Sequence, residues 1–503
     1  MPIPDLPGSF LISTAEQCRQ MDHDTIETFG IDGFTLMETA GLQAAQRIGR
    51  DIGRRAAGHF ICGRGNNGGD GLVAARYLVM HYDHRCTVTF PAGLNPLSPD
   101  AERNLELLQK MQREGAPVRI EESLDPDRTP ASDYLVDGLF GIGLARTLEG
   151  EYATAVEWIN RQQQPVYALD IPSGLHADTG QIMGVTVKAD ITLSFGARKL
   201  GFYLNEGSRH TGSVDQINLS FPDSVRRSEG VLISEEMEPY LPGIRRVAEH
   251  KYSDRVVYVV AGSEGLTGAA IYSARRAWRS GAGAVILLCP ASLLPVYEQV
   301  LPEIIKIPVG SEADSWFRPE HTGEVLEQLR RKRGVLLIGP GLGNREESLT
   351  FAREVLEQYQ GKAVIDADAL NVVNRVEKPD EATWLLTPHP GEAGRIKGGY
   401  FEDDLERLRW VRSVAVDRGI YMISKGAPGI TGTPDGECYI TGYQTTLFAR
   451  AGFGDILSGA IAGNLAVTDE EMISILRALL DSYLKARQLQ SALDRPIEPN
   501  DLL

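Results

Sequence analysis

The chain is 503 residues long, which at roughly 150 residues per domain predicts two to four domains instead of one large core. Lysine and arginine number 51 against 68 aspartates and glutamates, a formal charge of −17, which excludes a long cationic track for nucleic-acid phosphates. Glycine is in excess: there are 53, where an average share of about 7% gives roughly 35.

A hydrophobic share of 42% with 24% charged residues is that of an ordinary globular protein. The cysteines, Cys18, Cys62, Cys86, Cys289 and Cys438, form no C-x-x-C pair, which argues against a disulfide framework or a structural zinc and makes a reducing, cytoplasmic setting the expectation. The opening MPIPDLPGSFLIST has no basic residue before its apolar stretch, and the longest apolar run, 282–294, is short and interrupted by proline. Neither a secretion signal nor a membrane span is expected.

From about residue 55 to 222, β-rich runs alternate with amphipathic stretches. HFICG reads as a strand ending at Gly63, GLVAARYLVMHY as a helix, RCTVTFP as a strand and DAERNLELLQKMQREG as a helix, with further strands in YLVDGLFG and VYALDIP. This is the pattern of βαβ units around a parallel sheet, a Rossmann-like three-layer α/β/α domain. After VDQINLSFP the pattern stops, and the charged stretch 223–250, with Pro239 and Pro242, reads as an interdomain connection. The boundary is placed near residue 228.

A second series starts with the strand RVVYVVAG (255–262) and the helix TGAAIYSARRAWRSG, followed by strands AVILLCP, GVLLIGP, KAVIDADA, WLLTPH and IYMISKG. GITGTPDGECYITGY reads as a hairpin turning at Pro434-Asp435-Gly436, GDILSGAIAGNLA as a buried helix and 470–493 as an amphipathic one. The halves share no repeat. The expectation is two α/β domains, 1–228 and 229–503.

Five glycines fall within Gly63-Arg64-Gly65-Asn66-Asn67-Gly68-Gly69-Asp70-Gly71, between the first strand and its helix. Such a turn lets backbone N–H groups surround a phosphate at a helix start, which suits an acidic protein. It equally suits close packing of helix on sheet, with Asp70 as a helix cap; the paired amides Asn66 and Asn67 favour a ligand. Three more strand-end segments carry polar groups: Asp137, the loop Gly141-Ile142-Gly143-Leu144-Ala145-Arg146-Thr147, and Asp170 with Ser173. Asp137 and Asp170 follow apolar residues and are expected partly buried, as structural hydrogen-bonding groups, cation ligands or proton carriers. Oxygens from Asn67, Asp137 and Ser173 suit an alkali or alkaline-earth ion better than zinc.

CGRGNNGGDGLVAARYL, preceded by LMETAG and followed by DGLFGIGL and LDIPSGLHADTG, resembles the NAD(P)H-hydrate epimerases over residues 10–222. The resemblance implies interconversion of the R and S forms of NAD(P)H hydrated at C6 of the nicotinamide ring. It implies substrate contacts at Asn66, Asn67, Gly68, Gly69 and Asp70, at Gly141 to Thr147 and at Asp170, and potassium ligands at Asn67, Asp137 and Ser173. His176 stands where the family usually has Asp.

Near the other end, Ala451-Gly452-Phe453-Gly454-Asp455 precedes the buried helix. N–H groups at that helix start could face an anion while Asp455 accepts a hydroxyl proton; the plainer reading is an N-cap carboxylate. Gly339-Pro340-Gly341-Leu342-Gly343, His389-Pro390-Gly391-Glu392 and Lys425-Gly426-Ala427 each follow a strand, so several strand ends could converge on one crevice. His389 alone reads as structural or catalytic.

With GLTGAA, GAGAV and DADALN, these motifs resemble the NAD(P)H-hydrate dehydratases, a branch of the ribokinase-like fold, over residues 232–503. The resemblance implies phosphorylation of the C6 hydroxyl of the S hydrate by ADP, with magnesium, and loss of phosphate to restore NAD(P)H. Lys425, Gly426, Ala427, Pro428 and Gly429 together with Gly452, Phe453 and Gly454 would line the nucleotide. Ala269, Gly341, His389 and Asp455 would contact the hydrate. The family usually has Thr or Ser at Phe453 and Thr at Gly429, and carries a HGLAGD-like stretch where this chain has LLDSYLKARQL.

The leading expectation is a two-step nicotinamide repair enzyme, with Asp455 and Asp170 as catalytic residues. Its partners are hydrated NADH and NADPH and ADP, without nucleic acid or membrane, in a homo-oligomer. The alternatives are a ribokinase-like kinase of a small alcohol or vitamin precursor, and a first domain that binds without catalysing.

Overall fold

The computed structural model describes residues 6–125, 127, 132–243, 256–443 and 445–503. Two compact units emerge, Pro7–Val231 and Leu232–Leu503.

In the first unit, β1 (Leu11–Ser13) leads into α1 (Ala15–Glu27) through a capping box. Thr14 Oγ1 accepts from Gln17 N at 3.2 Å and Gln17 Oε1 accepts from Thr14 N at 3.0 Å. Then follow α2 (Gly33–Ile52), β2 (Ala57–Cys62), α3 (Asn66–Tyr82), β3 (Arg85–Thr89), α4 (Pro99–Arg113), β4 (Val118–Glu121), β5 (Tyr134–Gly138), α5 (Gly150–Arg161), β6 (Val166–Leu169), β7 (Ile191–Phe195), β8 (Arg198–Lys199) and β9 (Ser213–Ile217). Seven of these strands form a parallel sheet in the order β4-β3-β2-β5-β6-β7-β9. Chain direction across the sheet reverses between β2 and β5, so the loops after those two strands diverge and leave a crevice at the carboxyl edge.

The stretch read as an irregular connection contains a further strand, β10 (Gly230–Ile233); its residues 244–250, and Arg255 of the next predicted strand, lie outside the described residues.

The second unit runs β11 (Val256–Val260), α6 (Thr267–Arg279), β12 (Ala284–Pro290), α7 (Leu294–Val300), β13 (Ile305–Val309), α8 (Thr322–Arg331), β14 (Gly334–Ile338), α9 (Glu346–Gln358), β15 (Lys362–Ile365), β16 (Thr383–Leu386), α10 (Pro390–Lys397), α11 (Asp404–Arg418), β17 (Tyr421–Ser424), β18 (Ile430–Gly432), β19 (Cys438–Thr441), α12 (Phe453–Thr468) and α13 (Glu471–Ala492). Strands β13-β12-β11-β14-β15-β16-β17 are parallel, and β18 and β19 continue antiparallel as the predicted hairpin. The turn closes where expected: Gly436 N donates to Thr433 O at 3.0 Å. Predicted strand KAVIDADA stops at Ile365, after which 367–375 winds as a 3-10 helix. The small-residue helix α12 is buried over most of its surface, as its composition demands. All five cysteines are buried free thiols. No helix among the described residues is long and apolar enough to cross a membrane.

Candidate active sites

A cavity of about 590 Å³ opens at the carboxyl edge of the first unit. One wall is the start of α3. The glycine cluster is not the loop that its composition predicts, because Gly65 is already the N-cap and Asn66 to Gly71 are helical. The helix can begin this early because a Cβ on Gly68 would collide with the Gly63 carbonyl, so glycine there lets the first turn settle on the end of β2. Asp70 is therefore not a cap; it sits inside the helix, buried, and lines the cavity with Asn66 and Asn67. Gly141, Ile142, Gly143, Leu144 and Asp170 form the opposite wall. Gly68, Gly69, Ala145, Arg146 and Thr147, predicted as contacts, do not line it.

Asp170 has φ +64°, a left-handed conformation that costs a non-glycine residue about 1–2 kcal/mol. Three donors hold it there. Oδ1 accepts from Lys199 Nζ and from Phe195 N (3.3 Å), and Oδ2 from Ile142 N (3.3 Å). Lys199 is almost wholly buried and also donates to Ser194 Oγ (3.1 Å) and Phe195 O (2.9 Å). It belongs to the cavity wall, as do Cys18, Arg19 and Asp22 of α1.

Asp137 is fully buried, more so than expected. Its carboxylate accepts from Ser173 Oγ (2.7 Å), Ser173 N (2.8 Å) and Leu139 N (3.2 Å). Burial pushes its carboxyl up to about 6, and those bonds oppose the shift. The Asn67 carboxamide lies against Gly141, with Oδ1 and Nδ2 both buried and lacking a partner among the described residues. His176 Nδ1 accepts from Asp178 N and Thr179 N (3.2 Å each), closing a turn as an aspartate would.

The second unit has a cavity of about 580 Å³. Lys425, Gly426, Ala427 and Gly429 from the β17–β18 turn line it, with Gly452, Phe453, Gly454 and Asp455 at the start of α12, Asp366 after β15, and His389. Gly452, at φ +96°, caps α12, so Asp455 is its third residue and not the cap. Lys425 Nζ donates to Asp366 Oδ1 at 2.6 Å. Burial first, then the Asp366 carboxylate, push the Asp455 carboxyl up to about 7, with Lys425 opposing. Pro428 is not part of the cavity lining, and its carbonyl accepts from Arg407 Nη2 at 2.7 Å.

His389 combines both readings. Its Nδ1 accepts from Gly391 N (3.0 Å) and Glu392 N (3.4 Å) as the cap of α10, and its ring still borders the cavity. The Phe453 ring is buried with Ile456, Ile497 and Leu502, edge-on to Phe448 at 5.4 Å, so its bulk is taken up by core. Gly429 N donates to Thr441 Oγ1 at 2.7 Å, which brings a hydroxyl to that point of the wall. Gly341 and Ala269 adjoin each other at the β11–β14 reversal, outside this cavity's lining.

A family model described as YjeF-related protein N-terminus matches residues 33–201, and one described as NAD(P)H-hydrate dehydratase matches 257–496. The chain is 33% identical over 479 residues to the bifunctional NAD(P)H-hydrate repair enzyme of Salinibacter ruber, covering 90% of this chain and 88% of that one. The chain belongs to the bifunctional NAD(P)H-hydrate repair enzyme family. Another member, from Thermofilum pendens, is 32% identical over 467 residues, with 90% and 86% covered. Among solved structures, the ADP/ATP-dependent NAD(P)H-hydrate dehydratase from Bacillus subtilis co-crystallised with ATP/Mg2+ is 24% identical, covers 55% of this chain and 96% of its own, and has a TM-score of 0.48.

Sequence reasoning on this repair-enzyme family member missed Cys18, Arg19, Asp22 and Lys199 in the first cavity and Asp366 in the second. Asp366 had a signal, being the first residue of DADALN. The others had none, because nothing local tells that α1 and β8 reach the crevice.

Proposed function

We propose that this chain repairs hydrated NADH and NADPH in two steps, residues 1–228 interconverting the R and S forms at C6 and residues 229–503 dehydrating the S form with ADP. The observation that carries the reading is the placing of two different cavities on two units. One is lined by amides and carboxylates; the other sets a lysine, a helix start and a protonatable carboxylate together.

In the second unit the first N–H groups of α12 and the Lys425 ammonium face the transferring phosphoryl group. Asp455 takes the C6 hydroxyl proton as that oxygen bonds to phosphorus and AMP departs with the broken bridge. Phosphate then leaves C6 with the C–O electron pair, and loss of the C5 proton restores the double bond. Magnesium entering with the nucleotide suits Asp366, a hard oxygen donor on the wall. His389 borders the hydrate, and Gly341 and Ala269 extend the surface for it toward β14 and β11.

In the first unit Asn66, Asp70, Gly141 to Leu144 and Asp170 hold the hydrate. Potassium fits Asn67, Asp137 and Ser173: the Asn67 amide oxygen is buried and unpaired, and hard oxygens suit an alkali ion. Bound there, the ion would supply positive charge for substrate oxygens. The buried free thiols agree with a cytoplasmic setting, and assembly as a homo-oligomer is checked by light scattering.

Purified protein given the S hydrate, ADP and magnesium is expected to regenerate reduced nicotinamide absorbance with release of AMP and phosphate. A stable phosphorylated product would mark a kinase instead.

A further inference from the structure

Asp22, on α1, faces the first cavity beside Asp70, Asp170 and Lys199. These groups differ in how their charge is held. Asp170 is saturated by Lys199 and two backbone N–H groups. Asp22 and Asp70 have no hydrogen-bond or ion-pair partner among the described residues, although both border the space where substrate would lie. The wall carries the carboxylates Asp22, Asp70, Asp100 and Asp170 and the cations Arg19, Arg64 and Lys199, and burial without a partner favours the protonated forms of Asp22 and Asp70.

We infer that Asp22 is the proton-transfer residue of epimerisation, while the Asp170–Lys199 ion pair fixes the hydrated ring. This rests on the epimerase reading of the first unit. The Asp22 carboxylic acid gives its proton to the C6 hydroxyl as the C6–O bond breaks. That bond's electron pair leaves in water, and the N1 lone pair becomes the second bond of a C6=N1 iminium. Water then adds to the opposite face, the C6=N1 pair returns to N1, and the extra proton returns to the Asp22 carboxylate.

The environments of the two free carboxyls divide their roles. Burial, then the Asp170 charge, push Asp22 up to about 6, with Lys199 opposing. Asp70 is pushed well above the carboxylate range by burial, Asp170 and Asp22. Cys18, the remaining titratable group that interacts with Asp22, is pushed up to about 12 by burial and stays neutral. At about 6, Asp22 is placed to give and retake a proton near neutrality.

The test uses full-length Asp22→Asn and Asp22→Glu with R hydrate alone, and S hydrate with ADP as the internal control. Asp22→Asn is expected to slow epimerisation at least about 100-fold, to lose the wild-type rise in rate as pH falls through about 6, and to dehydrate the S form unchanged. Asp22→Glu is expected to recover most of the rate. Unimpaired epimerisation by Asp22→Asn, or a slowed rate that keeps the wild-type pH dependence, overturns the inference. A wild type that does not epimerise removes the first-unit reading as well, and that result is distinguishable because it precedes any variant.

Discussion

Lys425 Nζ lies 2.6 Å from Asp366 Oδ1, directly under the start of α12, where a Cβ on Gly454 would come within 3.1 Å of the ammonium. The pair neutralises a carboxylate that is 2% exposed and leaves the remaining ammonium donors toward the helix end. Replacing Lys425 with Met removes the phosphoryl-facing cation and strands a buried charge. Dehydration is expected to fall more than about 100-fold and stability by about 3 kcal/mol, read by steady-state kinetics and urea unfolding. Asp455 should titrate higher, since the one charge that lowers it is gone.

Asp455→Asn is expected to abolish ADP-dependent dehydration and leave epimerisation intact. In the wild type, a base whose carboxyl is pushed up to about 7 is ionised only above that value. The dehydration rate should therefore rise with pH through about 7, and wild-type dehydration by the variant would refute the role.

Phe453→Ala is expected to destabilise the second unit by about 3 kcal/mol, the usual cost of emptying an aromatic site in a core. The ring is 5% exposed among Ile456, Ile497 and Leu502. Denaturant unfolding followed by the second unit's own signal measures it.

Asn67→Ala removes the buried carboxamide without cutting a hydrogen bond among the described residues. Epimerisation is expected to lose its dependence on potassium against choline, while thermal unfolding without potassium stays unchanged. Retained potassium activation would place the ion elsewhere.

Much of the architecture is legible where composition and position agree. AVILLCP, bounded by glycine and proline, is a strand residue for residue as β12. Edge strands β4 and β13 escape notice, the first because VRIE is polar and the second because IKIPV contains Pro308, which an edge tolerates. GNNGGD reads as turn chemistry, yet helix α3 begins there, since close packing on Gly63 outweighs the low helix propensity of glycine. The strand-end loops announce the cavities through their glycines. Lys199 and Asp22 carry no such mark, because tertiary folding alone delivers β8 and α1 to the first cavity.

The most direct measurement gives the purified chain R hydrate alone, with ADP and magnesium, and follows return of reduced nicotinamide. Complete conversion, with epimerisation persisting when ADP is omitted, is the expected result. R hydrate that stays unconverted while the S form is consumed would contradict two-step repair by this chain.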